Sequence, residues 1–122
     1  MKKILIIEDE APLQQALGEA LKQSGYKVIK ATDGEIGVRL AKNQLPDLIL
    51  LDLIMPNKDG FEVLRDLKKD SKTTNLPVIV LTNLEKMKDI DRAILAGATT
   101  YLIKTHYQLS EVIQKIKGII GE

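Results

Sequence analysis

The sequence predicts a doubly wound α/β sandwich: one parallel sheet with helices on both faces. Three observations carry that expectation. Short apolar runs alternate five times with segments of helical periodicity within 122 residues. The first, third and fourth runs are continuously apolar rather than alternating, the pattern of strands covered on both faces. Polar residues with chemical potential stand where those runs end, at Glu8, Asp52 and Thr82.

The first strand is read over Lys3–Ile7. Pro12 suits a first helical turn, Leu13, Leu17, Ala20 and Leu21 recur at helical spacing, and Gly25 is placed to end that helix. A weaker second strand covers Tyr26–Ala31. Asp33 can cap a second helix that runs through Leu40 and ends near Asn43, before Pro46. The third strand is Asp47–Leu51, and Asp59-Gly60 opens a third helix through Val63, Leu64 and Leu67. Val78–Leu81 is the fourth strand, followed by a helix from about Glu85 to Ala96 that stops at Gly97. Thr100–Ile103 is the fifth strand. The last helix carries Leu109, Val112, Ile113, Ile116, Ile119 and Ile120 on one arc, as a helix docked on one side requires. Right-handed crossovers put the helices on both faces. The common order for five such strands is 2-1-3-4-5, the flavodoxin-like arrangement, with ligands at the carboxyl ends near the switch between strands 1 and 3.

The length fits one compact domain spanning 1–122, with no room for a second. Apolar residues at 44% and charged residues at 29% are an ordinary globular composition, and a chain of this size buries a core without staples. No cysteine is present, which excludes disulfides, thiol catalysis and Cys-based zinc sites and fits a cytoplasmic location. A net charge of +1 argues against nucleic-acid or anionic-membrane binding by bulk charge. The apolar run Ile4–Ile7 ends at Glu8, too short for a signal peptide or for membrane insertion.

In a parallel sheet the strand ends converge on one edge. They would bring together Glu8 and Asp9 (with Glu10 following), Asp52, Thr82 and Lys104. Taken singly, each has a plainer reading. Acidic residues after strands are often caps or solvated loop residues, Thr82 could cap a helix, and Lys104 could be a surface residue. Together, each at its own strand end, they point to a site. Carboxylates at Glu8, Asp9 and Asp52 repel one another unless a cation is present. An all-oxygen set favours a hard cation, Mg²⁺ above all. The Asp52 carboxylate is then a candidate nucleophile for a phosphoryl group, with the Lys104 ammonium and the Thr82 hydroxyl placed to meet phosphoryl oxygens.

Over its whole length the chain resembles a response-regulator receiver domain of two-component signalling. The strongest segment is Asp52-Leu53-Ile54-Met55-Pro56-Asn57-Lys58-Asp59-Gly60, similar to the family's phospho-accepting Asp followed by Met-Pro and a later Asp-Gly. Val78–Thr82 is similar to the strand ending in the switch Thr, and Gly97–Lys104 to the segment with the switch aromatic and the Lys. The resemblance implies a phosphorylation-dependent switch in which Asp52 accepts phosphate from a histidine kinase, a phosphotransfer protein or a small donor. It implies Mg²⁺ bound by Asp9, Asp52 and the Ile54 backbone carbonyl, with Glu8 acting through water. Thr82 would move toward the phosphoryl group, Tyr101 would turn inward, and the signal would appear on the face made by the fourth helix, fifth strand and fifth helix. Such a protein is not an enzyme in the ordinary sense. It assists its own phosphorylation and slow dephosphorylation, and acts by docking to another protein as a monomer or a phosphorylation-dependent dimer. No output domain is expected within the chain.

The chain departs from the family pattern after Lys104. Thr105 stands where the family usually has Pro after a cis bond, and a non-proline cis bond costs about 2.5–4 kcal/mol, so a trans bond and a reshaped loop are expected. His106, the only histidine, reads as a loop residue. Asn83 is larger than the small residue usual there and narrows the pocket. In the family, the side chains at the positions of Ile54 and Leu84 influence the water that attacks the acyl phosphate; both are apolar here, which implies slow self-dephosphorylation. An aspartate-nucleophile phosphohydrolase would carry a second Asp two residues after the nucleophile, where this chain has Ile54. A flavin carrier would need a hydroxyl-rich phosphate loop where this chain has Glu8-Asp9-Glu10. The alternative that stays open is a receiver-fold scaffold that binds partners without phosphorylation.

Overall fold

The computed structural model describes residues Met1–Gly121. Five strands and five α-helices alternate: β1 (Lys3–Ile7), α1 (Ala11–Gln23), β2 (Lys27–Ala31), α2 (Gly34–Gln44), β3 (Leu48–Leu51), α3 (Gly60–Lys69), β4 (Val78–Thr82), α4 (Met87–Leu95), β5 (Thr100–Ile103) and α5 (Leu109–Ile120), with a 3-10 turn over Lys104–His106 between the last two. The strands form one parallel sheet in the order β2-β1-β3-β4-β5, the expected topology.

The unbroken apolar strands have a direct cause. Side chains alternate across the sheet, so a strand covered on both faces needs apolar residues at every position. Leu5, Ile7, Ile49, Leu51, Val78 and Val80 belong to one core layer, packed with Val63, Leu64 and Leu67 of α3. Ile4, Ile6, Leu48, Leu50, Ile79 and Leu81 belong to the other, with Leu17 and Leu21 of α1 and Val112, Ile113 and Ile116 of α5. The edge strand β2 is only partly buried, which is why its sequence signal is the weaker one.

Local signals set the helix starts. The Asp33 carboxylate accepts from the Ile36 amide at 2.9 Å. Asp59 and Glu62 form a reciprocal capping box at the start of α3. Strand ends shift by one residue from expectation in β2, β3 and β4, and α4 begins at Met87, two residues after Glu85. Residues 83–86 stay in the loop, where the Leu84 carbonyl accepts from the Tyr101 hydroxyl at 2.9 Å and Glu85 lies 3.3 Å from His106. There are no cis peptide bonds among the described residues, so Lys104–Thr105 is trans and leads into the 3-10 turn. No helix of the described residues is long and apolar enough to cross a membrane.

Candidate phosphoacceptor site

Strand register places the site. Ile7 lies opposite Leu51 and Leu51 opposite Val80, so the residues that follow β1 and β3 emerge side by side at the carboxyl edge. The Asp52 amide donates to the Ile7 carbonyl at 3.1 Å and ties the two ends together. Gly60 closes the loop above. A Cβ there would lie 2.5 Å from both the Asp52 carbonyl oxygen and the Leu53 Cα, so only glycine lets α3 start against this backbone.

Asp52 is 4% exposed and Glu8 is 3% exposed. One Asp52 oxygen accepts from the Ile54 amide at 3.1 Å, and the other meets the Lys104 ammonium at 2.9 Å. The same ammonium lies 2.9 Å from Glu8 and 2.6 Å from Glu10. Lys104 therefore bridges three carboxylates from the far side of the sheet. Burial pulls its pKa down, but the hydrogen bonds to Glu10, Asp52 and Glu8 outweigh burial and leave it raised. Burial pushes Glu8 up to about 7, against the opposing hydrogen bonds from Lys104 and the Glu10 amide. Gln14 supports the turn from beneath, donating to the Glu8 and Ala31 carbonyls at 3.1 and 2.9 Å.

The structure brings together Glu8, Asp52 and Lys104 as the strand-end argument required. It adds Glu10, to which the strand-end pattern assigns no role. Oxygens of Glu8, Glu10 and Asp52 all lie within 4.8 Å of one another. Three carboxylates without His or Cys suit a hard divalent cation, so the donor set fits a metal of that class. Asp9 and Ile54 line the same cleft with Glu10, Asp52, Asn83 and Lys104, but the Asp9 carboxylate is not among the three that converge. Thr82 is fully buried at the end of β4, and its Oγ1 has no hydrogen-bond partner among the described residues. Tyr101 is half-buried. Burial, with the negative fields of Asp89 and Asp52, pushes its hydroxyl up to about 12, so it stays a hydrogen-bond donor toward Leu84.

A sequence profile described as "Response regulator receiver domain" matches residues 4–117. The chain belongs to the response-regulator receiver domain family. This receiver domain is 38% identical over 104 residues to protein PilH of Pseudomonas aeruginosa, covering 85% of this chain and 86% of that one. It is 36% identical over 120 residues to the DNA-binding dual master transcriptional regulator RpaA of Synechocystis, covering 98% of this chain and 49% of that protein. The receiver domain thus spans about half the length of that curated relative. Among solved structures, the receiver domain of the sensor histidine kinase PA1611 from Pseudomonas aeruginosa, with a magnesium ion coordinated in its active-site cleft, matches with a TM-score of 0.85 and 32% identity over 99% of this chain and 98% of that one.

Proposed function

We propose that this receiver domain is a phosphorylation-operated switch of a two-component phosphorelay, located in the cytoplasm, with Asp52 as the phosphoacceptor. The observation that carries the reading is the Asp52–Lys104 contact at 2.9 Å between residues 52 positions apart, set among buried acids at the strand ends. In the transfer, an Asp52 carboxylate oxygen forms a bond to phosphorus while the bond to the donor's leaving group breaks; the leaving group departs with the electron pair and a proton from solvent. Lys104 exchanges its contacts with carboxylates for contacts with phosphoryl oxygens. The unpaired Thr82 hydroxyl gains a phosphoryl oxygen as acceptor.

The donor set fits Mg²⁺, as in the PA1611 receiver domain. Asp52, Glu8 and the neighbouring acids Asp9 and Glu10 would hold it, with the Ile54 carbonyl, and it would neutralise charge between carboxylates and phosphoryl group. Donors of the right chemistry are a histidine kinase, a phosphotransfer protein or a small acyl or amido phosphate. Thr82 and Tyr101 would pass the change to the face of α4, β5 and α5, where a protein target or a second copy docks.

The test is intact-mass measurement after incubation with Mg²⁺ and phosphoramidate, with Asp52→Asn as control. A gain of one phosphoryl group that needs the metal and is absent in the variant is expected. No gain, together with unmoved Thr82 and Tyr101 resonances on adding beryllofluoride, would overturn the switch reading in favour of a phosphorylation-independent scaffold.

A further inference from the structure

Charge is sorted across α3. The acids of α3 and its C-cap are all engaged: Glu62 in the capping box, Asp66 with Lys58 of the preceding loop, and the C-cap Asp70 with Lys42 of α2 at 3.4 Å and with the Lys72 amide. Its cations Arg65, Lys68 and Lys69 line a groove shared with α4, which adds Arg92. With Phe61 and Ala96 these four line a groove of about 380 Å³ that contains no carboxylate. None of the four forms an ion pair among the described residues. In a chain of net charge +1, four unneutralised cations around one groove are a local concentration and do not follow from overall basicity.

The groove is also held in place. The Arg92 guanidinium sits 3.9 Å from the centroid of the Phe61 ring, which restrains a flexible side chain. Lys68 donates to the Thr74 and Leu76 carbonyls at 3.1 and 3.0 Å, and its stem packs so closely on Gly97 that a Cβ there would lie 2.9 Å away. Beside the cations is apolar surface. Leu95, three residues after Arg92 and so on the same side of α4, is 88% exposed.

We propose that the α3–α4 groove is a docking surface for an acidic, amphipathic segment of a partner protein. Its carboxylates would pair with Arg65, Lys69 and Arg92, and an apolar side chain would rest on Phe61, Ala96 and Leu95. Charge complementarity selects the acidic class, and the apolar shoulder selects a protein segment over a nucleic-acid backbone, which would need a longer cationic track. This surface shares α4 with the α4–β5–α5 face and is completed on its other side by α3.

The probe is a fluorescent synthetic peptide of Glu, Leu and Ala, with Lys replacing Glu in the control, read by anisotropy and by amide shifts of the full chain. The Glu peptide is expected to move the amides of Phe61, Arg65, Lys69, Arg92 and Leu95 and to bind at least about tenfold more weakly to the Arg65→Glu, Arg92→Glu double variant. Leu95→Ser, which leaves the charges in place, should weaken it severalfold. Both variants change exposed groups, and an unaltered urea midpoint verifies that they fold. Shifts elsewhere only, indifference to charge reversal, or tighter binding of a single-stranded oligonucleotide to the same amides would each overturn the proposal.

Discussion

Thr82→Val should make this protein more stable while disabling its switch. The Thr82 hydroxyl is fully buried and unpaired. An unsatisfied hydroxyl of this kind costs about 1–3 kcal/mol in folded proteins. Valine keeps the branched shape and replaces the hydroxyl with a methyl, so the gain should be about 1–2 kcal/mol after imperfect packing of that methyl. Urea denaturation without phosphodonor measures it, as a raised midpoint at unchanged slope. Thr82→Ala separates hydroxyl from packing: it relieves the same polar group but lacks both buried γ-methyls of the valine variant, so it should fall about 2 kcal/mol below that variant. In the phosphorylation assay the valine variant should still gain mass at Asp52, because the nucleophile and Lys104 are intact. The Tyr101 ring resonances should then no longer respond. A valine variant less stable than the parent by 1 kcal/mol or more (about a fivefold change in the folding equilibrium) would refute the reasoning, since it would mean that the hydroxyl has a partner in the native state.

Glu8 gives a pH dependence of defined sign. Its pKa is raised from 4.5 to about 7, so the native state holds a proton that the unfolded chain has lost across that interval. Metal-free protein should therefore lose stability as pH rises from about 5 to 7, by at most about 1.4 kcal/mol per unit; urea midpoints in EDTA should show this, and Glu8→Gln should flatten it. Gly60→Ala would press a methyl to 2.5 Å from the Asp52 carbonyl oxygen and Leu53 Cα. That should cost about 2 kcal/mol or more despite a gain of roughly 1 kcal/mol in helix propensity, visible as a lowered melting temperature and displaced Asp52 resonances. Ile54 is 51% exposed and lines the cleft, so Ile54→Asn should shorten the acyl-phosphate lifetime severalfold in an intact-mass decay series. Adding Leu84→Glu should shorten it further but also lower stability, because Leu84 packs against the core layer shared with α3; an unchanged lifetime in the double variant would remove water positioning from the account.

Much of this molecule was legible in its residues, for reasons of periodicity and covalent order. Continuous apolar runs in β1, β3 and β4 have the length and pattern of strands buried on both faces, and alternation with helices favours a parallel sheet. Parallel strands share one carboxyl edge, which brings Glu8 and Asp52 within reach of Lys104 and puts Thr82 at the end of the neighbouring strand. Asp33 was readable as a cap and Asp59-Gly60 as a helix start because helix starts are decided within one turn of chain. The features decided by tertiary structure lie in loops, where no periodicity constrains which way a side chain faces. Whether Asp9 or Glu10 joins Glu8 and Asp52 depends on the turn after β1, and that turn is set by long-range bonds: Glu8 to Ala31, Gln14 to both carbonyls, and Lys104 to Glu10. The loop before α4 is likewise tied at long range: the Leu84 carbonyl accepts from the Tyr101 hydroxyl, 17 positions away. The pairing of Asp66 with Lys58 and the clustering of Arg65, Lys68 and Lys69 beside Arg92 follow from which elements flank α3. The α3 sequence contains both charges, and only the packed sheet determines which of them find partners.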